Sequence, residues 1–226
     1  MSGLDFSTVI ASTVHDMKNS LAMLGQAHAQ WLAQLPEELR GGSERGVIEY
    51  EFARLNGMLV QLLGLYKLGV NQLPLRPGYQ EVEDFICAQL ARHDEVLHSR
   101  SIAARCEVEE FDLMGFFDQE LLGSVVANVI ANSIRYARGA LLISAREEDG
   151  QLLLSINDDG VGYPTAMLDQ QADYVLGLNQ SSGSTGLGLY FAARIAELHE
   201  RNGVRGRIEL RNGGPLGGGE FRIYLP

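Results

Sequence analysis

Basic residues are scarce in this chain: 18 Lys and Arg stand against 29 Asp and Glu, a formal net charge of -11. A nucleic-acid binder needs a positive footprint, so that class of partner is excluded. Cysteine is scarcer still, with only Cys87 and Cys106. The two lie far apart in the chain, lack metal-ligand spacing and sit among apolar neighbours, which predicts reduced core thiols in a reducing compartment. Long hydrophobic runs are missing too. No stretch approaches the ~20 apolar residues that span a bilayer, and the N-terminus has neither a basic flank nor an apolar signal core. The expectation is a cytoplasmic protein, or the cytoplasmic portion of a larger one, with no direct membrane span. Internal repeats and low-complexity tracts are also absent.

The 226 residues suffice for one large domain or two modest ones, and the 46% hydrophobic content is ordinary for a globular chain. From about Phe6 to Leu35, the residues Val14, Met17, Leu21, Leu24, His28, Trp31 and Leu35 alternate three and four apart. That is the seam of a helix bundle. Pro36 and Gly41-Gly42 break the pattern. Ser43 followed by Glu44 suits the start of a second helix running to about Gly69, with Ile48, Phe52, Leu55, Leu59, Leu62 and Tyr66 on its seam. Two long helices joined by a short loop make an antiparallel hairpin. One hairpin buries two such seams poorly, so a homodimer forming a four-helix bundle is expected.

Pro74 and Pro77 mark an extended linker. Beyond it, helical stretches at about Val82–Ser99, Asp118–Ala137 and Gly188–His199 interleave with strands at Ala103–Val108, Gly139–Ala145, Gln151–Asn157, Arg207–Leu210 and Glu220–Leu225. Asp149-Gly150 reads as the turn of the middle hairpin. The pattern predicts an α+β two-layer sandwich, a mixed sheet covered on one face by helices. The expected domains are a helical hairpin over residues 1–71, a linker over 72–78 and a second domain over 79–226.

Four segments carry chemistry. In the first helix His15 follows the seam residue Val14, so its ring points outward, and Asn19 shares its face four residues on. Asp16 beside it suits a proton partner for an imidazole that accepts a group from outside. On the third long helix Asn128 and Asn132 are also four apart. Amide oxygens complete the shell of a hard cation such as Mg2+, and Arg135 and Tyr136 add a charge for phosphate and an aromatic wall. Asn157-Asp158-Asp159-Gly160-Val161-Gly162 ends an apolar strand with an acid that suits an exocyclic amine, followed by glycines that let backbone approach a flat ring. Gly183-Ser184-Thr185-Gly186-Leu187-Gly188 opens a helix and exposes N–H groups to phosphate. It is neither a P-loop nor a dinucleotide fingerprint. Each segment alone is equally a solvated helix face or a tight turn. Gly217-Gly218-Gly219 before the last strand reads as a turn and nothing more.

In this order and at these separations, the segments resemble the catalytic core of a bacterial sensor histidine kinase, over nearly the whole chain. The resemblance implies a dimerisation and histidine-phosphotransfer hairpin followed by an ATP-binding domain of the Bergerat (GHKL) fold. It implies that His15 accepts the phosphoryl group with Asp16 as the acid beside it. Asn128 and Asn132 would form the asparagine box, with Asn132 the foremost Mg2+ ligand, and Arg135 and Tyr136 the basic-aromatic pair after it. Asp158 would bind the adenine amino group in a pocket shaped by Gly160 and Gly162. Thr185, Gly186, Leu187 and Gly188 would form the phosphate-facing glycine box. Asp16-x-x-Asn19 resembles the motif that orients water for dephosphorylating the partner. The implied cofactors are ATP and Mg2+. The implied partners are the receiver domain of a response regulator, a second copy of the chain, and a separate sensor protein if the chain is not an excised core.

The chain departs from the family's common pattern in three places. Ser20 stands where proline is usual, Asp16 stands where glutamate is usual, and residues 172–178 hold no phenylalanine. Two other functions stay open. A histidine phosphotransferase or scaffold would keep the second domain without its chemistry, yet the adenine and Mg2+ positions are filled here. An ATPase of the gyrase or Hsp90 kind would carry a water-activating glutamate where this chain has Ser124.

Overall fold

The computed structural model describes residues 6–36, 43–70, 72–169 and 187–226, and the chain divides into two compact units between Pro74 and Leu75. In the first, helix α1 spans Phe6–Gln34 and helix α2 spans Ser43–Gly69. The heptad positions split into two sets. Val14 is buried and Leu21, His28 and Leu35 are half-buried, as are Phe52, Leu59 and Tyr66 of α2. The His28 ring lies 6.0 Å from Phe52 and 6.2 Å from Trp31, as a seam histidine should. The other set, Met17, Leu24, Trp31, Ile48, Leu55 and Leu62, remains exposed.

The second unit runs β1 (Gly78–Glu81), α3 (Val82–Ala91), α4 (Asp94–Ser99), β2 (Ala103–Val108), β3 (Met114–Phe117), α5 (Gln119–Tyr136), β4 (Ala140–Glu148), β5 (Gln151–Asp158) and α6 (Thr165–Asp169). It continues with α7 (Leu187–Leu198), β6 (Glu200–Arg201), β7 (Val204–Arg205), β8 (Arg207–Asn212) and β9 (Gly219–Leu225). The main sheet has the order β2-β4-β5-β9-β8, with β2 parallel to β4 and the rest antiparallel. It is the mixed sheet with a helical layer that the pattern predicts. Leu152, Leu154 and Ile156 of β5 pair with Leu225, Ile223 and Phe221 of β9, and this apolar set faces the helices. Val126 and Ile130 of α5 and Phe191 and Ile195 of α7 are fully buried against it. Each such side chain contributes roughly 1.5–3 kcal/mol. The Asp149-Gly150 turn has φ of 53° and 74°, the left-handed pair that a two-residue hairpin requires.

Several expectations change. The single helix over Val82–Ser99 is two, because the chain turns at Arg92 and His93, where the His93 ring bonds the Gln89 carbonyl at 2.8 Å. The strands β1 and β3 form a separate antiparallel ribbon, Gly78 opposite Phe117, inside what reads as linker and loop. The short β6–β7 hairpin is likewise extra.

The cysteines are not core thiols: α3 buries Val82, Phe85, Ile86 and Gln89 and leaves Cys87 exposed, while Cys106 is half-buried on β2. The two sulfurs lie 3.5 Å apart. Among the described residues, no helix is long and apolar enough to cross a membrane.

Candidate functional site

On α1, burial of Val14 turns His15 outward, with its side chain 62% exposed. Two neighbours meet the same ring nitrogen: Asp16 Oδ1 lies 3.4 Å from His15 Nδ1, and Asn19 Nδ2 lies 3.3 Å from it. These partners ask for opposite tautomers. Asp16 accepts and so favours a proton on Nδ1, whereas Asn19 donates and favours a lone pair there. A carboxylate is the stronger partner, so the balance lies with Nδ1–H and a lone pair on Nε2.

In the second unit, α5 presents Asn128 and Asn132 on the side away from its buried residues; Asn128 is half-buried and Asn132 exposed. The helix starts cleanly because Asp118 Oδ1 accepts from the Glu120 and Leu121 amides, both at 3.0 Å. The Arg135 guanidinium lies 5.4 Å from the centre of the Tyr136 ring, and both side chains are exposed at the end of α5. The first turn of α7 meets the same helix: a Cβ on Gly188 would lie 2.6 Å from Asn128 Nδ2. Asn128 and Gly188 are thus brought together across sixty positions of sequence, and a side chain at Gly188 would push the Asn128 amide aside.

Asp158, buried at the end of β5, is the other focus. Its Oδ1 accepts from the Gly160 amide at 2.9 Å and from the Gly219 amide at 3.2 Å. Its Oδ2 takes no hydrogen bond from the described residues. Glycines crowd this carboxylate. A Cβ on Gly218 would lie 2.4 Å from the Asp158 carbonyl oxygen and 2.6 Å from the Gly160 nitrogen; one on Gly160 would lie 2.5 Å from the Tyr136 carbonyl oxygen. Gly162 has φ of 78°, and a Cβ there would meet Asn212 Oδ1 at 2.6 Å. Asn212 in turn holds both backbone groups of Tyr163, accepting from its amide at 2.7 Å and donating to its carbonyl at 2.9 Å. Burial pushes the Tyr163 phenol up, and the Asp158 and Glu220 carboxylates push the same way, so the phenol stays protonated.

Asp159 works as a brace rather than a ligand. Its Oδ1 accepts from the Arg138 amide at 2.7 Å and the Gly139 amide at 3.1 Å. Burial opposes its ionisation, but the amides of Gly139, Arg138 and Ala140 outweigh that and hold it below the usual carboxylate range.

The candidate residues therefore fall into three groups. His15, Asp16 and Asn19 converge on α1. Asn128 joins Gly188, with Asn132 one turn further along α5. Asp158 joins Gly160 and, through it, the backbone of Tyr136. Leu187 is half-buried at the first residue of α7, while Thr185 and Gly186 lie outside the described residues, as do residues 172–178. Sequence reasoning misses Gly218, Gly219, Tyr163 and Asn212. The run Gly217-Gly218-Gly219 was the only signal for the first two, and nothing local marks Asn212.

Asn128 and Asn132 are a neutral amide set, and the described residues hold no group of three or more His, Cys, Asp or Glu fit for a metal ion. That donor set does not suit a transition metal. It fits a hard cation that keeps most of its water and takes its remaining oxygens from phosphates.

A model of the family described as "Histidine kinase-, DNA gyrase B-, and HSP90-like ATPase" matches residues 117–226. Along the chain there is 30% identity over 225 residues with a sensor protein kinase, PilS, of Pseudomonas aeruginosa, covering 94% of this chain and 39% of that protein. The sensor-like histidine kinase SenX3 of Mycobacterium bovis is 26% identical over 228 residues, covering 96% of this chain and 53% of its own length. The chain thus spans about two fifths to a half of these relatives. The fold matches that of full-length ShkA, solved in complex with AMPPNP, with a TM-score of 0.67 and 22% identity over 97% of this chain and 45% of that one.

Proposed function

We propose, from the match of residues 117–226 to the histidine kinase-, DNA gyrase B- and HSP90-like ATPase family and the likeness of the chain to sensor histidine kinases, that the chain is a histidine kinase catalytic core that transfers the γ-phosphoryl group of ATP to His15 and then to a response-regulator aspartate. The observation that carries the proposal is Asp158: its Oδ1 is fixed by two backbone amides while Oδ2 is left to accept from the adenine amine. Gly160, Gly162, Gly218 and Gly219 let the base approach. Leu187 and Gly188 open α7, whose first turn would offer N–H groups to the phosphates, with Thr185 and Gly186, just before it in sequence, completing the glycine box. Asn132 and Asn128 would hold Mg2+, and Arg135 would add charge toward the phosphates, with Tyr136 walling the pocket. When bound, Mg2+ supplies charge neutralisation on the phosphate oxygens.

In the transfer the lone pair on His15 Nε2 attacks the γ-phosphorus as the bond to the β–γ bridging oxygen breaks, and ADP leaves. Asp16 stabilises the positive imidazole through Nδ1–H and then accepts that proton. Catalysis is otherwise positioning. We place the reaction in the cytoplasm, with the chain a homodimer through its hairpin and its signal arriving from a sensor segment or a separate sensor protein.

The experiment is labelling with γ-labelled ATP and Mg2+, wild type beside His15→Ala. Acid-labile label on the wild type alone is expected. Label that persists on His15→Ala would overturn the acceptor assignment; nucleotide binding without label would favour a phosphotransferase or scaffold, and ADP release without label an ATPase. Asn19 touching His15 Nδ1 supports a second activity, removal of phosphate from the regulator. Asn19→Ala is expected to keep autophosphorylation and to slow regulator dephosphorylation at least about tenfold, the size of a lost general-base or water-positioning group. Unchanged dephosphorylation would remove that activity from Asn19.

A further inference from the structure

Cys87 and Cys106 take no part in the reaction above, yet the fold sets their sulfurs 3.5 Å apart across 19 positions of sequence. Neither is in a core. Cys87 stands on the solvent side of α3, and Cys106 is half-buried on β2, the edge strand of the main sheet. A disulfide needs sulfurs about 2.05 Å apart, so an approach of about 1.5 Å is required. Rotation of the exposed Cys87 side chain is the movement that would bring the sulfurs together.

We propose that Cys87 and Cys106 form a reversible intramolecular disulfide, a redox modification site that ties α3 to the edge of the five-stranded sheet. Exposure makes Cys87 the thiol that meets the oxidant. Burial pushes the Cys106 thiol up to about 11, and its hydrogen bond to Cys87, the charge of Cys87 and the Glu83 carboxylate push the same way, so Cys106 acts second. The oxidant is a low-molecular-weight disulfide. Cys87 loses its proton and its thiolate attacks one sulfur, forming a mixed disulfide and releasing one small thiolate, which takes up a proton. Cys106 then loses its proton and attacks the Cys87 sulfur, releasing the second small thiol. Two protein thiols are oxidised to one disulfide, and one small disulfide is reduced to two thiols. In a reducing compartment such a bond is transient and follows the local thiol poise. Its effect reaches toward the nucleotide side, because α3 packs on α5: a Cβ on Gly123 would lie 3.3 Å from Gln89 Nε2.

The test exposes the full chain to oxidised glutathione and reads intact mass, peptide maps and Tm. The expected product has lost two hydrogens, carries a Cys87–Cys106 cross-linked peptide, reverts with dithiothreitol, and melts roughly 5 °C or more above the reduced chain. Cys106→Ser should accumulate a glutathione adduct on Cys87. In Cys87→Ser, Cys106 should react about tenfold more slowly than Cys87 does in Cys106→Ser. A wild-type chain that ends as a stable glutathione adduct, as a disulfide-linked dimer or unmodified would overturn the proposal. Equal reaction of the two single thiols would overturn the order of attack.

Discussion

Asp158 divides its carboxylate: Oδ1 is committed to the Gly160 and Gly219 amides, while Oδ2 takes no hydrogen bond from the described residues and is the oxygen proposed to meet the adenine amine. Hydrogen bonds to a charged group are worth about 1.5–3 kcal/mol. Asp158→Ala should therefore weaken ATP binding about tenfold to a hundredfold by calorimetry; unchanged affinity would mean the base sits elsewhere. The glycines around it are not equivalent. At Gly218 an added methyl would strike the backbone of Asp158 and Gly160, which cannot step aside. At Gly188 it would strike the tip of the Asn128 side chain, which can. Gly218→Ala should cost about 1–3 kcal/mol of stability as well as nucleotide binding. Gly188→Ala should leave stability within about 0.5 kcal/mol yet lower Mg2+-dependent labelling by displacing Asn128. Equal destabilisation of the two in urea titrations would refute the distinction. Asp158 and Gly160 were legible because acid, glycines and strand are contiguous. Gly219 and Asn212 were not, because they reach the site from about 61 and 49 positions away in sequence, from Asp158 and Tyr163 respectively.

Among the elements, α5 is tied to its surroundings at one point. Asp118 caps it with Oδ1, accepts the Arg76 amide on Oδ2 at 2.7 Å, and donates its own amide to His199 Nε2 at 3.0 Å. His199 Nδ1 donates to the Ile195 carbonyl at 2.8 Å, so the ring is neutral with both nitrogens engaged. Burial lowers its pKa from 6.5, against the opposing Ile195 bond and Asp118 charge; His93 is lowered likewise, chiefly by burial. The unfolded chain takes up protons at these rings near pH 6.5 while the folded chain resists. Stability should therefore be flat above that value and fall below it, by at most about 1.4 kcal/mol per pH unit for each proton, until the folded pKa values are passed. Urea unfolding between pH 5 and 7 checks this, and His199→Leu should shrink the slope by up to one proton whatever stability it loses. An unchanged slope would release His199 from that role. The helix itself was legible, and Asp118 heads the stretch read as helical. The β1–β3 ribbon was hidden because its strands are four residues long and carry Gly78 and Gly115, and the α3–α4 break because neither Gly nor Pro marks Arg92-His93.

At the scale of the molecule, the helical seams are only half satisfied. Leu21, His28 and Leu35 face Phe52, Leu59 and Tyr66 within the hairpin, but Met17, Leu24 and Trp31 repeat every seventh residue on exposed α1, as do Ile48, Leu55 and Leu62 on α2. Scattered exposed apolar residues are normal; six in heptad register on two adjacent helices form a second seam awaiting helices of like pattern. In the homodimer proposed above, a second copy would supply them by two-fold symmetry and close a four-helix bundle. A charge at the centre of that seam should oppose assembly without touching the inner set. Leu24→Glu combined with Leu55→Glu is therefore expected to turn a dimer into a monomer by light scattering at micromolar concentration. ATP affinity should stay unchanged, because every nucleotide-site residue named above lies in the other unit. A double variant that stays dimeric would mean that another surface holds the copies together, and one that loses ATP affinity would mean that the nucleotide unit depends on the bundle.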